Sequence, residues 1–182
     1  MNNKIVKLAL VLFLICAVTA GILGVVNALT EERIDAIVHA KEYAAYAAVL
    51  ASDSGYTEVE FDKEQFPSVD SIMASNDGNG YVVTSTFSGA QGSITMACGV
   101  SSEFTCTGIS IIEHSETSGL GAVAASSSSA GESFRAQFVG QGEDIALAKA
   151  GGEIEAISGA TITSTAVTNA TATSIAAVKS LG

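Results

Sequence analysis

A run of small and hydroxyl-bearing residues, Glu155-Ala156-Ile157-Ser158-Gly159-Ala160-Thr161-Ile162-Thr163-Ser164, meets the start of a helix predicted over residues 161–181. The first turn of a helix presents unpaired N–H groups and a partial positive charge, so it can seat a phosphate. Gly159 and Ala160 would let that phosphate approach the backbone, and Ser158, Thr161, Thr163 and Ser164 would supply hydroxyls. The same residue types also cap helices that bind nothing. Taken alone, the run leaves both readings open. Upstream, His114-Ser115-Glu116-Thr117-Ser118-Gly119-Leu120-Gly121 sets one apolar side chain between two glycines. Glycines free to take positive φ would bend this loop and present Leu120.

The tetrad Ser158-Gly159-Ala160-Thr161 resembles the flavinylation signature of the FMN-binding domain family, and residues 114–121 resemble that family's H-x-E-T-P-G-L-G loop. Glu155 stands where the family usually has Asp, and Ser118 where it has Pro. The resemblance covers about residues 79–181 and is strongest to the G subunit of the Rnf complex. It implies FMN joined to Thr161 through a phosphodiester made by a flavin transferase. Ser158, Gly159, Ala160, Thr163 and Ser164 would then surround the attachment point, and Glu116, Thr117, Gly119, Leu120 and Gly121 would lie against the flavin. The implied role is electron relay within an ion-translocating ferredoxin:NAD oxidoreductase, as a subunit among other Rnf subunits and not an enzyme by itself. Two alternatives stand beside it: a free-standing extracellular flavoprotein of a respiratory or electron-export chain, and a non-redox acidic surface protein.

The elements that must hold these residues predict an α+β chain with one membrane helix. Residues 8–29 carry no charge and are long enough to span a bilayer, which needs about 20 residues. Lys4 and Lys7 precede the run and Glu31 and Glu32 follow it, which predicts a cytoplasmic N-terminus (residues 1–7) and an external remainder at the cell membrane. A helix is expected over residues 30–52, with Ile34, Ile37, Val38, Ala45 and Ala48 at helical spacing, continuing from the membrane span. The external FMN-binding domain would occupy residues 53–182. Residues 52–79 read as polar and irregular. Strands are expected over residues 81–87, 93–100 and 104–112, forming an antiparallel sheet. Residues 124–131 read as a mobile surface loop, and Phe134, Phe138 and Val139 as a short helix on the sheet, with Ile145, Leu147 and Ile154 finishing the core.

Charge and composition exclude other classes. All 19 acidic residues but only six of the eight basic ones follow residue 29, leaving that part 13 negative charges in excess. Such a surface repels nucleic acid. With only His39 and His114, no zinc or triad spacing appears, and no G-x-G-x-x-G is present. A hairpin turning near Ser102 would bring Cys98 and Cys106 opposite each other, within disulfide reach; two buried thiols are the other reading. His114 offers a structural hydrogen bond or a flavin-tuning contact.

Overall fold

The computed structural model of the chain describes residues 2–182. It divides into two units, one ending at Lys41 and one spanning Glu42–Gly182. Both draw on α1, a single helix over Asn2–Val49. In the first unit, Lys4–Glu31 forms a stretch of 28 residues whose most apolar 18-residue window has a mean hydropathy of 2.8, long and apolar enough to cross a membrane. No new helix begins after residue 29, because Thr30 does not act as a cap. Its hydroxyl turns back to the carbonyls of Val26 (2.8 Å) and Asn27 (3.2 Å) and so stays satisfied within one helix. The helix ends at Val49, three residues before the boundary expected at residue 52.

The second unit is a five-stranded antiparallel meander in the order β1 (Tyr56–Val59), β2 (Val69–Ser75), β3 (Gly80–Ser88), β4 (Ser93–Ser101), β5 (Cys106–His114). Both faces are covered, which is why β4 is buried along almost its whole length instead of alternately. Against one face packs the end of α1, where Ala45, Tyr46, Val49 and Leu50 meet Val82 and Ala97. Gly99 makes this approach possible, since a Cβ there would stand 2.5 Å from the Val49 carbonyl oxygen, and the Thr107 hydroxyl donates to that same carbonyl at 2.5 Å. Against the other face lie α2 (Ser129–Ala136) and α3 (Thr161–Lys179), burying Val83, Met96, Phe134, Phe138, Val167 and Ile175 with Ile145, Leu147 and Ile154.

Residues 52–79 are not irregular: they hold β1 and β2, whose polar residues masked the pattern, with a register shift between Val69 and Ser71 breaking the alternation. The third expected strand begins at Cys106, not at residue 104, because Ser101 and Thr105 close the turn and Phe104 takes a φ of 59°. The cysteines are therefore diagonal, Cys98 opposite Ile109 and Cys106 opposite Val100. Their sulfurs sit 3.9 Å apart as buried free thiols. Residues 124–131, expected as a mobile surface loop, hold the end of a 3-10 turn (Gly121–Ala125), a bend and the first turn of α2. Ser128 caps α2, and Arg135 ties the carbonyls of Ala124 (2.7 Å) and Ser126 (2.9 Å). Val139 lies beyond α2 and is exposed, unlike Phe134 and Phe138.

α3 carries an unusual load of hydroxyls on a face packed against apolar strands. Ser164, Thr168, Thr171 and Ser174 are buried, and each donates to the carbonyl four residues earlier at 2.8–3.0 Å. A buried hydroxyl without a partner costs about 1–3 kcal/mol, and bonding back along the helix avoids that cost.

Candidate functional site

The two sequence motifs meet at the start of α3. Residue 160, not a Ser or Thr, occupies the N-cap, with φ −126° and no side-chain cap. The hydroxyls of the run thus do not cap the helix, and the N–H groups of its first turn keep no side-chain partner of that kind. Ahead of it Gly159 takes a φ of 75°, a left-handed conformation that suits glycine. A Cβ at Gly159 would stand 3.1 Å from Leu120 Cδ2, so the apolar side chain of the upstream loop lies directly over the tetrad. Leu120 remains 44% exposed, and Thr117, Gly119, Ser158, Gly159 and Thr161 are exposed too.

Glu116 joins the two motifs from beneath. Its Oε2 accepts from the Thr163 hydroxyl at 2.5 Å, and its Oε1 accepts from the Gln91 N–H at 3.0 Å. Two glycines make the room: a Cβ on Gly121 would stand 2.0 Å from Glu116 Oε2, and one on Gly89 would stand 2.3 Å from Oε1. Gly121 is therefore small for space. Only Gly119, at φ 78°, uses the left-handed region, so the expectation that both glycines bend the loop holds for one of them. Burial of the Glu116 carboxyl opposes its ionisation, but the N–H groups of Gln91, Ala90 and Gly92 and the Thr163 hydroxyl outweigh it and hold the carboxyl below the usual range. The His114 Nδ1 accepts from the Glu116 N–H at 3.3 Å, a structural bond that fixes the loop's entry.

The hydroxyls of α3 now sort themselves. Thr163 donates to Glu116, Thr165 to the Thr161 carbonyl, Thr173 to the Asn169 carbonyl, and Ser164, Thr168, Thr171 and Ser174 to their own helix. Thr161 is the exposed exception. Among the described residues its hydroxyl makes no hydrogen bond, because at the first helical position no helical carbonyl lies four residues behind it.

Two grooves border this residue. One of about 180 Å³ runs past Lys149, Glu155, Ser158, Gly159 and Thr161, and another of about 220 Å³ shares Lys149 and Thr161. A third, about 360 Å³, is lined by Gly119, Val123, Phe134, Gln137, Ile157 and Ser158 among others and joins the loop to the tetrad. Sequence reasoning missed Lys149, Gln91 and Gln137. Lys149 had a signal in the scarcity of basic residues: Arg135 holds carbonyls and Lys179 pairs with Glu143 at 2.5 Å, whereas Lys149 borders the site. Gln91 acts through its own N–H on the distant Glu116 carboxyl and Gln137 through its side-chain amide on the distant Glu155 backbone, and no local pattern reveals either.

Known proteins resemble this chain over nearly its whole length. Residues 89–176 match the FMN-binding domain family, from the β3–β4 turn that meets Glu116 to the body of α3, and residues 1–49 match the RnfG N-terminal region. The G subunit of the ion-translocating oxidoreductase complex of Methanosarcina acetivorans is 34% identical over 177 residues, covering 93% of this chain and 92% of that protein. The G subunit of the Na(+)-translocating ferredoxin:NAD(+) oxidoreductase complex of Acetobacterium woodii is 32% identical over 196 residues, covering 96% and 92%. The chain belongs to the family of G subunits of ion-translocating oxidoreductase complexes and carries that family's FMN-binding domain.

Proposed function

We propose that the chain is the membrane-anchored flavin subunit of an Rnf-type ferredoxin:NAD oxidoreductase, with FMN attached to Thr161. The observation that carries the attachment is the free hydroxyl: of eight on α3, seven are bonded within the protein and Thr161 has no partner among the described residues. The surroundings suit a flavin phosphate. The first turn of α3 lacks a side-chain cap, Gly159 and Ala160 offer little steric bulk, and Lys149 borders the same grooves as a cation in an acidic domain. In attachment, the Thr161 Oγ–phosphorus bond forms as the pyrophosphate bond of FAD breaks. AMP leaves, and the hydroxyl proton passes to the flavin transferase.

FMN supplies reversible electron acceptance. The protein supplies position and field. Leu120, Val123 and Phe134 offer apolar cover beside the tetrad, while the negative charge of Glu116 and of the wider domain disfavours an added electron and lowers the flavin potential. Ser158, Ala160, Thr163 and Ser164 shape the turn. Thr117, Gly119 and Gly121 shape the facing loop. The other subunits of such a complex, the ferredoxin:NAD chemistry named for the Acetobacterium relative, and the transferase are partners in this reading. Residues 1–7 are cytoplasmic, residues 8–29 span the membrane, residues 30–52 lead away from it and residues 53–182 lie outside, since Lys4 and Lys7 flank only the N-terminal end of the apolar run.

Expression with a flavin transferase tests the attachment. Thr161→Val is expected to abolish the ultraviolet fluorescence of the denatured band, and a band that stays fluorescent contradicts the assignment. For topology, protease added to intact spheroplasts is expected to remove the flavin domain; full protection reverses the orientation.

A further inference from the structure

We propose that Gln137 is a positioning residue for flavin attachment, a side-chain brace that holds residues 155–161 in the path presenting Thr161; it rests on the attachment reading above. Among the described residues no strand runs beside residues 155–159. The Glu155 N–H donates to Gln137 Oε1 at 2.7 Å, and the Glu155 carbonyl accepts from Gln137 Nε2 at 3.3 Å. One amide thereby gives Glu155 the donor and acceptor that a neighbouring strand would give. The next support is also a side chain, the Ile157 N–H donating to Ser164 Oγ at 3.0 Å. Only at Ala160 does a backbone bond appear, to the Ile157 carbonyl at 2.9 Å.

The brace has a firm footing. Gln137 follows directly on α2, between Phe134 and Phe138, which are 2% and 0% exposed and pack edge to face with ring centroids 5.2 Å apart. Gln137 also borders the groove that reaches Ser158. On this geometry α2 does more than cover the sheet: it carries the group that sets the entry to the attachment turn. Alignment of the hydroxyl with the reacting phosphorus matters, because a misplacement of ~1 Å can cost about 100-fold in rate.

The test is the rate of FMN incorporation into the full chain in detergent, with flavin transferase and saturating FAD, followed by intact mass. Gln137→Met keeps the bulk and loses both bonds, whereas Gln137→Glu keeps the acceptor for the Glu155 N–H and loses the donor. The expected order of rates is native, then Glu, then Met. Gln137→Met should fall by about 10- to 100-fold in kcat with KM for FAD unchanged. Amide hydrogen exchange should quicken at Glu155 and Ile157 while β3 and β4 keep their protection. A native rate in a folded Gln137→Met chain overturns the brace. Should that variant fail to fold, a native rate in Gln137→Glu overturns it instead. Thr161→Val separates the two readings: if it remains unlabelled while Gln137→Met labels normally, only the brace falls, and if it labels, the attachment reading falls and takes the brace with it.

Discussion

The first residue of α3 and the body of that helix carry the same kind of side chain and put it to opposite uses. From Thr163 onward, every Ser and Thr hydroxyl is bonded within the protein, so a helix rich in polar groups packs on an apolar sheet. At Thr161 the geometry that satisfies the others is missing, and a hydroxyl is left exposed beside uncapped N–H groups. Whether a hydroxyl of this helix is bonded or exposed is thus a matter of position within it. A threonine becomes available where the helix has no carbonyl behind it to bond.

Substitutions along α3 sharpen that contrast. The largest effect on stability is expected at Thr163. Thr163→Val leaves the buried Glu116 carboxylate without its hydroxyl donor and should cost about 1–3 kcal/mol in denaturant unfolding. Thr171→Val removes only a bond from the helix to itself and puts a methyl against the sheet, so a change within about 0.5 kcal/mol is expected. Equal losses at the two positions would break the distinction between a hydroxyl that joins elements and one that merely satisfies itself.

A smaller and conditional effect concerns pH. Glu116 is held below the usual carboxylate range in the folded chain, so its contribution to stability is present above the unfolded value and is lost as pH falls through the folded one. Asp77, lowered to about 2 by the hydroxyls of Ser54 and Ser52 and the N–H groups of Asp53 and Ser54, acts in the same direction. The difference between the native chain and Glu116→Gln isolates Glu116. Their unfolding midpoints should converge as pH falls below the ordinary carboxyl range, and a constant gap down to acid pH would remove the carboxylate from the account.

The tetrad of residues 158–161 and the Leu120 loop could be picked out as motifs because both are short and local, and the structure brings the two together. The α+β layout was legible too, with an apolar N-terminal helix ahead of the sheet. Other features were hidden by long-range bonding. β1 and β2 escaped notice because an edge strand of four residues carrying Glu58, and a strand broken by a register shift at Val69, show no clean period. The roles of Gln91 and Gln137 depend on partners 25 and 18 residues away. The order in residues 124–131 likewise comes from Arg135, which gathers two carbonyls that the local sequence of small residues leaves unmarked.

The central claim, that Thr161 is the hydroxyl esterified by FMN, meets its most direct test in the intact mass and peptide map of the chain taken from its native membrane. The account predicts a mass increased by one FMN less one water, located on the peptide at Thr161. An unmodified chain, or a flavin mapped to Thr163 or Thr165, would contradict it.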